Sequence, residues 1–397
     1  MARPASVSAR AAAVGAPPPL PPARRDALRR RLLAWYRAHR RDLPWRRTRD
    51  PYAVWVAETM LQQTRVAAVV PYFERFLAEF PDPAHLAQAP EERVLALWSG
   101  LGYYSRARQL HRAARTLVER HAGRVPSDPE ALAALPGVGR YTLGAVLSIA
   151  FDRPWPLVDG NVARVLGRVE ALDGDLRRAP GSELLWRLAA ALVPPRAPGD
   201  FNQALMELGA TLCTPRAPRC AECPVAALCR ARAAGDPERY PAPRRRAVLE
   251  RVEVAAALVE SRRGVWLERR TAGANRGLAD LPAVEGAAAA DPAALPRRLS
   301  ALLAERGLRV DGWERAGAFR HAIMDRVYAV TVWRARAVRP PARPAGGEWA
   351  PRSRLAELPL TARARRALGL AKPESGADGR PAPTTTRRKG RASHGRR

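Results

Sequence analysis

The sequence predicts a mainly α-helical body over residues 25–230, joined by a linker at 231–250 to a smaller α+β domain at 251–371. Three observations predict it. Apolar residues recur at helical spacing through the first region, beginning with Leu28, Leu32 and Trp35. From about residue 251 the texture changes to short β-type runs. Between the two, Gly235, Asp236, Pro237, Pro241 and Pro243 crowd beside three consecutive arginines, a composition that interrupts regular structure.

In chain order, residues 1–24 are rich in Ala, Pro, Arg and Ser and contain no acidic residue. That loosely resembles an organellar transit peptide, but Pro17-Pro18-Pro19 and Pro21-Pro22 argue against an amphipathic helix, so a disordered extension is expected. Segments 91–98, 105–120, 141–150 and 182–193 each carry an apolar face and are separated by Pro and Gly, and are expected to be helices. In the second domain 252–259, 265–267 and 327–333 read as strands, and 292–306 as a helix. Residues 372–397 hold eight Lys or Arg against two acids and read as a flexible basic tail that adds nonspecific affinity for DNA.

Composition narrows the partners. Hydrophobic residues make up 47% of the chain, which excludes wholesale disorder, and no apolar run approaches the roughly 18 residues a bilayer-spanning helix needs. There are 68 Lys and Arg against 38 Asp and Glu, a net charge of +30, which favours an anionic partner such as nucleic acid through phosphate neutralisation. A compositional bias toward Arg, Ala and Pro supplies part of that surplus. Only Lys372 and Lys389 are lysines, so the folded body has no side-chain amine. With no clear export signal, the cytoplasm is the expected location.

Leu135-Pro136-Gly137-Val138-Gly139-Arg140 lies between two helical segments. Glycines one residue apart allow a tight turn and close approach to a ligand, with amides pointing out beside a helix N-terminus, where a phosphate oxygen fits. The pattern resembles the helix-hairpin-helix element, which grips backbone phosphate without reading sequence. All four cysteines fall in one short stretch, Cys213-x6-Cys220-x2-Cys223-x5-Cys229. A disulfide-stapled domain spreads its cysteines, and zinc ribbons set two C-x2-C pairs apart, whereas four thiolates in so short a loop can wrap a 4Fe–4S cluster; zinc stays the alternative. Arg216 and Arg219 inside this loop aim positive charge at phosphate.

Two carboxylates complete the constellation. Glu58 sits among Trp55, Val56, Met60 and Leu61, surroundings that desolvate a carboxyl and raise its pKa, keeping it protonated near neutral pH as an acid. Asp159, in Leu157-Val158-Asp159-Gly160-Asn161-Val162, precedes an apolar-periodic helix. An N-cap is its local reading, and at a helix start amides and dipole hold it charged. One neutral and one charged carboxyl is the division of labour that glycosidic cleavage requires.

The blocks Leu43-Pro44-Trp45-Arg46, Glu58-Thr59-Met60-Leu61-Gln62-Gln63-Thr64, Gly100-Leu101-Gly102-Tyr103-Tyr104, the glycine hairpin, Val158-Asp159-Gly160-Asn161-Val162 and Phe201-Asn202-Gln203-Ala204-Leu205-Met206-Glu207-Leu208-Gly209, followed by the cysteines, resemble the MutY family of adenine DNA glycosylases in order and content. The resemblance is close over residues 28–230 and loose over 250–370. It implies a helix-hairpin-helix glycosylase fold, a six-helix barrel module plus an iron–sulfur cluster module, with a Nudix-like domain behind it. It further implies removal of adenine mispaired with 8-oxoguanine or guanine in double-stranded DNA, by an enzyme expected to be a monomer, with the adenine flipped from the stack. By motif, Glu58 would protonate the adenine ring and later activate water. Asp159 would stabilise the oxocarbenium-like sugar, with Tyr141 and Asn161 supporting both groups. Arg46, Leu61 and Gln203 match positions around the adenine. Gln63 and Tyr103 match residues inserted into the duplex, and Cys213, Cys220, Cys223 and Cys229 match the cluster ligands.

The sister family, endonuclease III, is also a lyase whose Schiff-base lysine stands two residues after the hairpin's second glycine. Tyr141 stands there in this chain, so a monofunctional enzyme is expected. The alternatives are that bifunctional lyase and a non-catalytic iron–sulfur DNA-binding protein. In the C-terminal domain, Gly277-Leu278-Ala279-Asp280-Leu281-Pro282 resembles a Nudix segment, but 283–298 lacks the Glu-rich metal-binding helix, leaving recognition of the oxidised guanine. There the chain departs from its family. After Ala318-Phe319-Arg320-His321, the expected Phe-Ser-His reads Ile323-Met324-Asp325. Either His321 takes over the contact, or discrimination of oxidised from normal guanine is weaker.

Overall fold

The computed structural model describes residues 20–242, 249–289, 291, 293–323, 325–338 and 346–370. The basic tail and Met324 lie outside these residues. The helical region runs α1 (Pro22–His39), α2 (Pro51–Leu61), α3 (Val66–Glu79), α4 (Pro83–Gln88), α5 (Glu91–Trp98), α6 (Ser105–His121), α7 (Pro129–Ala133), α8 (Arg140–Ile149), α9 (Gly160–Val169), α10 (Gly181–Leu192), α11 (Pro198–Thr211) and the single turn α12 (Arg230–Ala233). Two departures from the sequence reading appear at its ends. Helix α1 begins at Pro22, inside the stretch read as an extension, because a proline is tolerated in a first helical turn; its buried face is Leu28, Leu32 and Tyr36 rather than Trp35. The stretch read as linker is folded up to Tyr240, which is buried and whose carbonyl accepts from Arg168 Nε at 2.9 Å.

Two apolar cores organise the helices. One gathers Trp55, Phe76, Trp98, Leu110 and Leu117. The other gathers Leu28 and Tyr36 of α1 with Leu166 of α9, Leu188 of α10 and Phe201 and Leu208 of α11. Helix α2 packs on α8, and α9 on α11, so the seam between the cores brings four helices to one place.

The C-terminal region is α+β, as expected. Strands β1 (Glu250–Ser261), β2 (Gly264–Arg269), β3 (Ala279–Asp280), β4 (Ala283–Glu285), β5 (Arg309–Ile323), β6 (Arg326–Val338) and β7 (Gly347–Ala350) form one mixed sheet in the order β3-β2-β1-β6-β5, with β4 beside β1 and β7 beside β2. Only β1 and β6 run parallel among these pairs, from Glu250 opposite Arg326 to Glu260 opposite Arg336. β1 reads as a continuous apolar run because both faces are covered. Ala255, Ala257 and Val259 meet Leu295, Leu299 and Leu303 of α13 (Leu295–Ala304), while Val254, Ala256 and Leu258 meet Leu355, Leu360 and Ala364, the last on α14 (Ala362–Ala367). The two regions touch: Leu278 is buried within the first helical core. No helix among the described residues is long and apolar enough to cross a membrane.

Candidate active site and cluster loop

Helix α2 starts cleanly, with Pro51 in its first turn and Asp50 accepting from Ala53 N at 2.9 Å. It is then buried on every side from Tyr52 to Met60, so Glu58 is carried into the interior and is only 4% exposed. Burial pushes its carboxyl up to about 7, helped by the charge of Asp159 and opposed by the Tyr141 hydrogen bond and by Arg46. Tyr141, in the first turn of α8, donates its hydroxyl to Glu58 Oε2 and lies 3.4 Å from Met206 Sδ on α11. Burial and the neighbouring carboxylates hold the phenol well above its ordinary value, so it stays a donor.

Asp159 is the helix cap that its local sequence allows, and its charge acts on Glu58. It caps α9, accepting from Val162 N at 2.7 Å, and its other oxygen accepts from Asn161 Nδ2 at 3.0 Å. Its expected depression is not what results. Burial raises its pKa, and this outweighs the Val162 and Asn161 hydrogen bonds and the charge of Arg164 that favour the anion. Arg164, which sequence reasoning missed, donates to Asn161 Oδ1 and Gly209 O, each at 2.8 Å, and to the Cys213 carbonyl at 2.7 Å. The approach is close because position 209 is glycine: a Cβ there would stand 2.6 Å from Asn161 Cβ. Arg164 stands one turn beyond Asn161 on α9, which is the signal that could have found it.

Arg46 is fixed by α11. Its Nη2 donates to Glu207 Oε2 at 2.8 Å and its Nη1 to Arg41 O at 3.0 Å, while Arg41 Nε and Nη2 hold the two Glu207 oxygens at 2.7 Å each. Burial pushes Glu207 up, yet the two guanidiniums outweigh it and hold the carboxyl at about 2. Leu61 is half-buried against the first core, and Gln203 is half-buried on α11. In the hairpin, Gly137 has φ +80 and a Cβ would meet Gln109 Cβ at 2.6 Å, so no other residue fits there unstrained. Gly139 forms the N-cap of α8. Gln63 (φ +59) and Tyr103 (φ +47, 46% exposed) stand out from their loops in left-handed backbone.

The four cysteines line one cavity together with Val165, Arg168, Leu208 and Leu212. Burial raises the Cys223 thiol to about 11, with the three other sulfurs adding to the shift. Such thiols need bound metal to ionise. Arg168 closes the cavity, placing Nη1 3.4 Å from Cys213 Sγ and 2.7 Å from Thr214 O. The four sulfurs sit together in one short loop around this cavity, a donor set of the kind that holds an iron–sulfur cluster. Away from this site, His321 on β5 stacks on Tyr328 of β6 at 5.4 Å, and Asp325 is exposed at the β5–β6 turn.

Two carboxyls meeting between helices, beside a glycine hairpin and a four-cysteine loop, define a class, and residues 56–190 match the model of the HhH-GPD superfamily of base excision DNA repair proteins. Residues 213–229, the stretch that holds the four cysteines, match the iron–sulfur binding domain of endonuclease III, and the cofactor of this region is a 4Fe–4S cluster. The chain is 34% identical over 241 residues to an adenine DNA glycosylase of Buchnera aphidicola subsp. Schizaphis graminum, covering 60% of this chain and 70% of that one. It belongs to the adenine DNA glycosylase family. An adenine DNA glycosylase of Rattus norvegicus is 55% identical over 214 residues, 52% of this chain, but the match spans only 42% of that relative's length. Among solved structures, a thermostable thymine-DNA glycosylase aligns over 53% of this chain and 98% of its own, with 33% identity and a TM-score of 0.50.

Proposed function

We propose that this chain is a monofunctional DNA glycosylase that hydrolyses the N-glycosidic bond of adenine mispaired with 8-oxoguanine or guanine, acting in the cytoplasm as a monomer and leaving an intact abasic site. The observation that carries the reading is the convergence of Glu58 and Asp159, with Glu58 buried, raised to about 7 and held by the Tyr141 hydroxyl. Glu58 gives its proton to the flipped adenine and so makes it a better leaving group; the resulting carboxylate then takes a proton from water. Asp159, whose two oxygens are aimed by Val162 N and Asn161, faces the sugar and stabilises the positive charge that develops there as its bond to adenine breaks. Leu61 and Gln203 flank the adenine, Arg46 sets the charge beside Glu58, and the Gly137 and Gly139 amides hold backbone phosphate. The cluster, when bound, ties its four thiolates and the arginines between them into one loop.

The lyase alternative is disfavoured by Tyr141 at the lysine position and by the absence of lysine before Lys372. The domain division at 231–250 is part of the proposal, with the C-terminal sheet, Nudix-like by its Gly277–Pro282 segment, facing the base opposite the adenine and His321 presented there on its aromatic stack. The test is single-turnover incubation with a duplex carrying adenine opposite 8-oxoguanine. Base release is expected to appear as breaks only after alkali treatment. Prompt nicking with a borohydride-trapped adduct would instead support a lyase, and no release at all would remove the reading.

A further inference from the structure

We infer that Arg106 is a positioning residue that locks the Gln63 loop and the Tyr103 loop into one rigid duplex-facing unit. The inference rests on the glycosylase reading above. Arg106 lies in the first turn of α6, and its guanidinium reaches both loops at once. Nη1 donates to Thr59 O at 2.8 Å, Met60 O at 2.9 Å and Gln62 O, the carbonyls left open where α2 ends. Nη2 donates to Thr64 Oγ1 at 3.2 Å on the same side and to Gly102 O at 3.3 Å on the other. The same group lies over the rings of Trp98 at 5.5 Å and Tyr103 at 5.4 Å. Trp98 Nε1 donates to Gly102 O as well, at 3.1 Å, so this carbonyl is held twice.

No carboxylate answers Arg106 among these contacts; its charge is met by backbone carbonyls, a hydroxyl and two ring faces. That is costly, since burial alone disfavours the cation. Its return is geometric. Both exposed side chains nominated to enter the duplex, Gln63 and Tyr103, sit in left-handed backbone that a non-glycine residue adopts only under constraint. A planar fork with several donors can bridge the two loops, whereas a single ammonium cannot.

The experiment uses the full chain with its cluster. Single-turnover base release is measured for wild type and Arg106→Lys on two substrates: adenine paired opposite 8-oxoguanine, and adenine unpaired in a one-nucleotide bulge, which needs little wedging. Arg106→Lys is expected to slow release from the paired substrate by about 30-fold and from the bulge by less than about 3-fold, a difference equivalent to losing one or two charge-assisted hydrogen bonds. Adding Gln63→Ala is expected to cost little more in Arg106→Lys than it does alone. Equal losses on both substrates, or full additivity, would overturn the inference. If Arg106→Lys does not fold, Thr64→Val removes one guanidinium partner and is expected to show the same paired-over-bulged bias at about 3-fold; no bias counts against the inference. Wild type inactive on both substrates would fail the glycosylase reading instead.

Discussion

Glu58 is placed where its chemistry and its stability oppose each other. Its carboxyl moves from an ordinary 4.5 to about 7 on folding, so the folded chain holds that proton more tightly than the unfolded one. This favours folding fully below the unfolded value, and the contribution is lost as pH rises through about 7. Glu58→Gln keeps an acceptor for Tyr141 and removes the buried charge. It is expected to be more stable than wild type at pH above 7, by up to about 3 kcal/mol, and near parity at low pH, as read by denaturant unfolding at both values. The same variant is expected to lose base release by about 100-fold or more. A stability gain identical at both pH values would show that the group is not raised. For wild type, release is expected to fall as pH rises past about 7. The raised Glu58 was legible in the sequence because its desolvating neighbours lie within one helical stretch. The upward shift of Asp159 was not, because the atoms that bury it come from other parts of the chain while the cap that favours its anion is local.

Helix α9 links the catalytic candidates to the cluster loop. Asp159 caps it, Asn161 and Arg164 follow on its first turns, and Arg168 reaches from its last turn to Thr214 O at 2.7 Å, Pro215 O at 2.9 Å and Tyr240 O at 2.9 Å. Arg168 is 2% exposed, so removing it strands buried carbonyls. Arg168→Met is expected to cost about 3 kcal/mol and to speed loss of the cluster's visible absorbance under a chelator. Arg219→Ala, in the same loop but exposed and paired with exposed Glu222, is expected to change stability by under about 1 kcal/mol. Equal effects would show that the loop is not held from α9. At this scale the helices were legible from period and punctuation, since their apolar faces are local patterns. The folded stretch up to Tyr240 was not, because Gly235, Pro237 and Pro241 mark breaks in regular structure without saying whether the chain between them packs.

Between the two regions the decisive groups are a backbone carbonyl and two hydroxyls. Ser99 Oγ and Tyr104 OH each donate to Leu360 O at 3.0 Å, and all three residues are buried. Leu360 is itself fixed from behind. Thr361 N donates to Ala279 O at 3.0 Å, and Thr361 Oγ1 donates to Asp280 Oδ1 at 2.7 Å, whose other oxygen accepts from Arg363 at 2.6 Å. Arg269 of β2 pairs with Glu92 of α5 at 2.7 Å across the same contact. None of this was legible: a carbonyl writes no letter in the sequence, and Ser99 and Leu360 stand 261 positions apart. Tyr104 is the neighbour of Tyr103, so the C-terminal region grips the loop that carries the exposed ring. Ser99→Ala with Tyr104→Phe leaves Leu360 O without these two donors, at a cost of about 1–3 kcal/mol to docking. If the C-terminal sheet reads the base opposite adenine, its docking should govern discrimination more than chemistry. The double variant is therefore expected to keep its release rate for adenine opposite guanine within about 3-fold while its preference for 8-oxoguanine falls by about 10-fold, an effect of docking energy rather than of the acid. A preference that survives intact in the double variant would mean that the contact plays no part in selecting the mispair.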